Sequence, residues 1–197
     1  SLTPRRAPVE FVAGVDISVK GDRARAAIVV LRFDDLEVVD VAVAERVVEF
    51  PYVPGLLTFR EAPSILDACD QLAIEPDLFM FDGQGYAHPR RFGLASHLGV
   101  LLGKPSIGCA KTRYIGTYEE PHETAGCYTD LWDGKELIGA VLRTRSQVKP
   151  LFISPGHQMD TPTALDFVLA CCDGFRLPEP TRLAHQAAGG RELAIIS

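Results

Sequence analysis

No apolar run in the chain approaches the roughly 20 residues that a membrane-spanning helix needs, so no membrane span is expected. Nor does a charged-then-apolar leader open the sequence, and export is not expected. Cysteine is scarce. Cys69, Cys109, Cys127, Cys171 and Cys172 form no CxxC pair, which argues against a zinc or disulfide framework and suits reduced thiols in a cytoplasmic protein. Positive charge is not in excess: 20 Lys and Arg stand against 26 Asp and Glu, for a net charge of −6. A phosphate-binding surface spread over the whole molecule is therefore not expected. Any nucleic-acid contact has to come from a local basic patch, or from metal ions held by surplus carboxylates. Internal repeats, low-complexity tracts and Ser/Gly linkers are absent as well. The hydrophobic share of 47% and charged share of 23% are ordinary globular values. The 197 residues suit one domain with a sizeable core, preceded over residues 1–8 by a polar, Pro-broken arm.

Patterning predicts a mixed sheet. Phe11, Ala13, Val15, Ile17 and Val19 alternate with smaller or polar residues, as a strand does. Ala26–Phe33 and Leu36–Phe50 read as two more strands, divided by the turns Gly21-Asp22 and Asp34-Asp35. The three should form an antiparallel meander. Helical spacing then places a helix over about Ala62–Ala73, and the short run Leu78–Phe81 suits a strand covered on both faces. Pro89 is expected to open a helix that Gly103 stops. A strand near 106–108, a polar hairpin region over 114–133, strands near 137–143 and 151–154, and a helix from Thr161 to Gly174 complete the order. The fold class is α/β, with three antiparallel strands followed by parallel strands and helices on the sheet.

Several polar residues interrupt this apolar pattern. Asp16 lies in the first strand on the face opposite Val15 and Ile17. It is either a surface position or a carboxylate with a partner, because a lone charge inside a sheet is costly. Asp82 ends the buried strand directly before Gly83-Gln84-Gly85, at the edge where open α/β sheets bind ligands. The competing reading is a turn cap. If the first and fourth strands are neighbours, Asp16 and Asp82 meet, and a divalent cation relieves their repulsion. Oxygen ligands without a His/Cys cluster suit Mg²⁺, with Mn²⁺ able to substitute. Glu61 has the spacing of a capping box with Thr58, but Pro63 argues that the helix starts near Ala62 and leaves Glu61 free at its mouth. Lys111 closes an apolar run at the same sheet edge, either as a surface charge or as a partner for a carboxylate or phosphate. His88 and His157 read first as hydrogen-bonded structural histidines, and Arg90 and Arg91 as a local basic patch or solvated arginines. Pro51-Tyr52-Val53-Pro54 is a stiff loop displaying an aromatic side chain, either a plain turn or a wedge for a base step.

Taken together, these segments resemble the endonuclease V family. The matching stretches are GVDIS (14–18), PYVPGLLTFRE (51–61), DGQGYAHPRRFGLASHLG (82–99), CAKT (109–112), SPGH (154–157) and FRLPEPTR (175–182). The resemblance implies an RNase H-like fold over one domain, residues 1–197. It implies a Mg²⁺-dependent endonuclease of DNA repair that recognises deoxyinosine and cuts the second phosphodiester bond 3′ to it, leaving 3′-hydroxyl and 5′-phosphate. Carried onto this chain, Asp16, Asp82 and Glu61 resemble the metal-binding acids, Lys111 the active-site lysine and Tyr52 the wedge. Gly55, Leu57 and Gly83 resemble parts of the pocket for the displaced base. His88 and His157 match positions near the scissile region.

The implied partner is DNA containing deoxyinosine, with inosine-containing RNA as an alternative; no membrane and no obligate protein partner are called for. A structure-specific nuclease of the resolvase type shares the acids but does not require the Pro51–Pro54 loop. A non-cleaving damage-binding protein has little need for clustered acids.

Overall fold

The computed structural model describes residues 8–48 and 57–196. Eight strands form one sheet: β1 (Phe11–Lys20), β2 (Arg23–Arg32), β3 (Val38–Val47), β4 (Leu78–Phe81), β5 (Ser106–Ala110), β6 (Tyr128–Asp133), β7 (Glu136–Leu142) and β8 (Leu151–Pro155). Their order across the sheet is β3-β2-β1-β4-β5-β8-β7-β6. The first three make the expected antiparallel meander. β4 and β5 add in parallel beside β1, and β8, β7 and β6 return to antiparallel pairing. Four helices cover the sheet: α1 (Leu57–Cys69), α2 (Leu94–Leu102), α3 (Thr161–Ala170) and α4 (Glu179–Ala188). No helix among the described residues is long and apolar enough to cross a membrane.

Strand alternation divides the core in two. Val12, Leu78 and Met80 pack with Ala164 and Val168 of α3 and Ala184 and Ala187 of α4. Ala13, Val15, Phe79 and Phe81 pack with Ile65 and Ala68 of α1 and Leu98 of α2. Because successive side chains point to opposite faces, Gly14, Asp16 and Asp82 fall on the α3/α4 face. The polar side of β1 is therefore not a solvent face; a helix lies over it.

Three local expectations are corrected. Helix α1 begins at or before Leu57, five residues ahead of the position predicted, and holds Pro63 inside it. The proline removes one helical hydrogen bond, but Ala62, Ile65 and Ala68 are buried against the sheet and outweigh that local loss. Glu61 is thus on the helix rather than at its mouth. Helix α2 begins at Leu94, not Pro89, because Arg91 takes a left-handed φ of 54° and Gly93 is extended. Gly103 stops it as expected, in the left-handed conformation.

Helix α4 was not foreseen at all. Its buried positions are Glu179, Pro180, Thr181, Ala184, Ala187 and Ala188, with no large apolar side chain among them. Those alanines let it lie close across β1 and β2. The approach is tightest at Gly14, where an added Cβ would stand 1.8 Å from the Pro180 carbonyl oxygen. Gly14→Ala is therefore expected to lower stability by about 2 kcal/mol or more, as overpacking does, and to displace the start of α4. Urea unfolding checks the first effect and hydrogen exchange over residues 179–188 the second.

Candidate active site

The parallel pairing of β1 with β4 sets the centre of the site. Val15 is opposite Phe81, and the Asp82 amide donates to the Val15 carbonyl at 3.0 Å. Asp16 and Asp82 consequently leave neighbouring strands on the same face. Helix α4 brings His185 to them: its Nδ1 lies 2.7 Å from Asp16 Oδ2. One ligand atom from each of Asp16, Asp82 and His185 falls within 4.8 Å of the others. Lys111, directly after β5, forms an ion pair with Asp82 Oδ2. Glu61 approaches from α1, near enough for both aspartates to disfavour its ionisation.

The three carboxyl groups are largely out of water. The Asp16 and Asp82 side chains are only 10% and 14% exposed, and Glu61 as a residue is 7% exposed. Burial, with added repulsion from Asp16 and Asp82, pushes the Glu61 carboxyl up to about 7, against an opposing pull from Arg60. Burial and the Asp82 charge likewise raise Asp16, while His185, the Ile17 amide and Lys111 pull it down. Asp16 and Glu61, both raised above the ordinary carboxylate range, stand beside the Asp82 carboxylate, and this set of hard oxygen donors fits a divalent metal cation. His185 sits where it can either contact such an ion or orient the Asp16 carboxylate from behind.

His185 was missed by sequence reasoning. The quoted stretch FRLPEPTR ends three residues before it, and the buried positions of the helix that delivers it carry no large apolar side chain.

The remaining candidates divide. On the loop after β4, the His88 ring stacks at 5.5 Å on Tyr114, and its Nδ1 accepts from the Arg90 amide at 3.2 Å. Burial and the Arg90 charge lower the His88 pKa. Arg90 is exposed on this loop. Arg91 is already engaged: it pairs with Asp133 and Glu136 of the β6–β7 hairpin at 2.7 Å each and donates to the His88 carbonyl at 3.0 Å. It fastens the loop rather than offering free charge. His157 stands apart from the acids. Its amide donates to Ser106 Oγ at 2.8 Å, at the start of β5, whereas Lys111 follows the end of that strand, roughly 16 Å away at about 3.3 Å per residue.

Gly83 follows Asp82, and an added Cβ there would meet only Leu94, at 3.4 Å. At Gly85 and Gly108 an added Cβ would lie 2.4 Å from the Pro155 oxygen and 2.3 Å from the Gly85 nitrogen. Packing alone demands glycine at 85 and 108, where the turn crosses β5, and not at 83. Pro51, Tyr52, Val53, Pro54 and Gly55 lie outside the described residues. Leu57 opens α1.

Comparison with known proteins places relatives beside this chain. The family model described as Endonuclease V matches residues 1–186. An endonuclease V of Roseiflexus sp. (strain RS-1) is 55% identical over 181 residues, covering 92% of this chain and 82% of the relative. The solved endonuclease V of Streptomyces avermitilis superposes with a TM-score of 0.89 at 46% identity, covering 93% of this chain and 82% of that one. The endonuclease V of Ciona intestinalis, solved in complex with a 24mer DNA containing an inosine followed by a ribo-adenosine, gives a TM-score of 0.77 at 28% identity, with coverage of 92% and 85%. The fold is RNase H-like, as in these neighbours. With a family match across nearly its whole length and relatives at about half identity, this chain belongs to the endonuclease V family.

Proposed function

We propose that this protein is a metal-dependent endonuclease of DNA repair that recognises deoxyinosine and hydrolyses the second phosphodiester bond on its 3′ side. The observation that carries the proposal is the convergence of Asp16, Asp82 and His185 within 4.8 Å beside Lys111, with Glu61 near enough for both aspartates to disfavour its ionisation. A non-catalytic binder has no use for such a cluster against phosphates. The inosine-containing DNA bound by the Ciona homologue supports the choice of lesion.

In this reading Asp16 and Asp82 hold the divalent cation, with Glu61 reaching the ion or its water. Bound there, Mg²⁺ or Mn²⁺ supplies charge stabilisation at the phosphate and a more acidic water. Burial and the two aspartates raise the Glu61 carboxyl to about 7 in the cation-free site; a bound cation offsets that repulsion and favours the carboxylate, which can take a proton from the attacking water. The water oxygen bonds to phosphorus and the bond to the 3′ oxygen breaks, leaving 3′-hydroxyl and 5′-phosphate. Lys111 offsets charge that develops on the phosphate. His185, anchored on Asp16 through Nδ1, keeps Nε2 for a hydrogen bond to the substrate; its side chain is 59% exposed.

The displaced base is assigned to a pocket formed by Gly55, Leu57 and Gly83. The open side of Gly83 supports this, since among the described residues an added Cβ there would meet only Leu94. Main-chain N–H groups in such a pocket donate to the hypoxanthine carbonyl and are left unpaired by adenine, a mismatch that discriminates strongly. Tyr52, in the stiff loop Pro51–Pro54, fills the gap in the stack. His88 and Arg90 contact the backbone near the cut, while Arg91 and His157 support neighbouring segments. The whole chain acts as one domain in the cytoplasm.

A second reading is cleavage of inosine-containing RNA, favoured by the ribo-adenosine that follows inosine in the Ciona complex. The test is a nicking assay on inosine-containing and plain duplexes, and on inosine-containing RNA, with Mg²⁺ or with EDTA. Metal-dependent cuts only beside inosine are expected, with adenosine suppressing cleavage by at least about 100-fold. Cuts independent of inosine or of metal would overturn the proposal, and a marked preference for the RNA would move it to the second reading.

A further inference from the structure

Lys111 pairs with Asp82, yet it stands one residue beyond the end of β5, where the ladder no longer holds the main chain. Two side chains take over. Arg176 Nη2 donates to the Lys111 carbonyl at 2.8 Å, and Gln84 Nε2 donates to the Thr112 carbonyl at 3.1 Å. Arg176 also donates to the carbonyls of Lys149 at 2.8 Å and Pro150 at 3.0 Å, just before β8. Its own carbonyl accepts from Thr144 Oγ1 at 2.5 Å. The guanidinium thus spends its described bonds on three main-chain oxygens and none on a carboxylate. Arg176 further lies three residues before α4, the helix that delivers His185 to Asp16.

We propose that Arg176 is a positioning residue: by bridging the Lys111, Lys149 and Pro150 carbonyls it holds the Lys111 ammonium on Asp82, with Gln84 fastening the next carbonyl. The fork geometry matters, because only a guanidinium reaches three carbonyls of two segments from fixed positions; an ammonium of equal charge does not. Nothing else in the described structure explains a cation seated on carbonyl oxygens at this point. The inference rests on the nuclease reading for its kinetic arm but not for its structural one.

The structural arm is competitive acetylation of the intact protein, read at Lys111 by mass spectrometry against exposed Lys135. Arg176→Lys and Gln84→Met are each expected to raise labelling of Lys111 several-fold and leave Lys135 unchanged. The kinetic arm is a cycle on the inosine duplex. Arg176→Lys should lower kcat by about 10- to 100-fold, the scale of a misplaced group, with KM within about twofold. In a Lys111→Met background the same substitution should cost less than about twofold, because its target is already gone. Unchanged labelling of Lys111, or equal kcat losses in both backgrounds, would overturn the assignment and leave Arg176 a support of the fold. If the unaltered protein does not nick inosine duplexes, the nuclease reading fails while the labelling arm still decides the role of Arg176.

Discussion

Asp82→Asn is expected to lower single-turnover nicking of inosine duplexes by about 10³-fold or more. Asp82 takes part in two features of the site: with Asp16 and His185 it forms the cluster able to hold a cation, and it is the partner of Lys111. Losing one charged ligand removes several kcal/mol of stabilisation at the phosphate, and each 1.36 kcal/mol is worth a factor of ten. The fold should survive. Relief of the repulsion that Asp82 exerts on Asp16 and Glu61 offsets the unpaired Lys111. In EDTA the melting temperature should therefore stay within about 4 °C, the span that roughly 1 kcal/mol covers in a chain of this size. Stopped or rapid-quench assays read the first effect and calorimetry the second. Nicking within about tenfold of the unaltered protein would remove Asp82 from the site.

The second large effect concerns Glu61 and has opposite signs for stability and activity. Its carboxyl is raised to about 7 in the folded chain from an ordinary 4.5. A raised acid binds its proton more tightly when folded than when unfolded. Below about pH 4.5 both states are protonated and burial costs nothing extra. As pH rises toward 7 the unfolded chain ionises first, and stability is lost across that window. Above 7 the full cost applies, about 3 kcal/mol at 1.36 kcal/mol per pH unit. Glu61→Gln should then raise the metal-free melting temperature at pH 8 by about 6 to 12 °C, and change it little at pH 4. The same variant should lose most nicking activity and most of the stabilisation that added Mn²⁺ gives the unaltered protein. Equal melting temperatures of the two proteins at pH 8 in EDTA would refute the buried, repelled carboxylate.

Much of the sheet was legible because strand alternation and turn residues are local signals. Phe11 through Val19 announce β1 with Asp16 within it, and the all-apolar Leu78–Phe81 announces a central strand with Asp82 directly after it. Helix boundaries were less legible. The start of α1 at or before Leu57 defeats the local penalty of Pro63, because burial of Ala62, Ile65 and Ala68 is a tertiary gain that no window of sequence displays. The late start of α2 depends on Arg91 accepting a left-handed backbone while Asp133 and Glu136, over 40 residues away, hold its guanidinium. That same distant pairing turns an arginine read as basic patch into a fastener.

By itself the order of residues determined which acids, which lysine and which loops this protein has, and their grouping into family motifs, because those are properties of side-chain identity and spacing. Only the tertiary structure decided that Asp16 and Asp82 stand side by side, through parallel pairing of strand residues 66 positions apart. It also decided that Glu61 is buried enough to hold its proton near neutrality, and that His185 reaches Asp16 on a helix whose buried positions carry no large apolar side chain. The reason is range. Alternation and capping act over a few residues, whereas desolvation, charge repulsion and close backbone approach depend on neighbours that only the folded chain supplies.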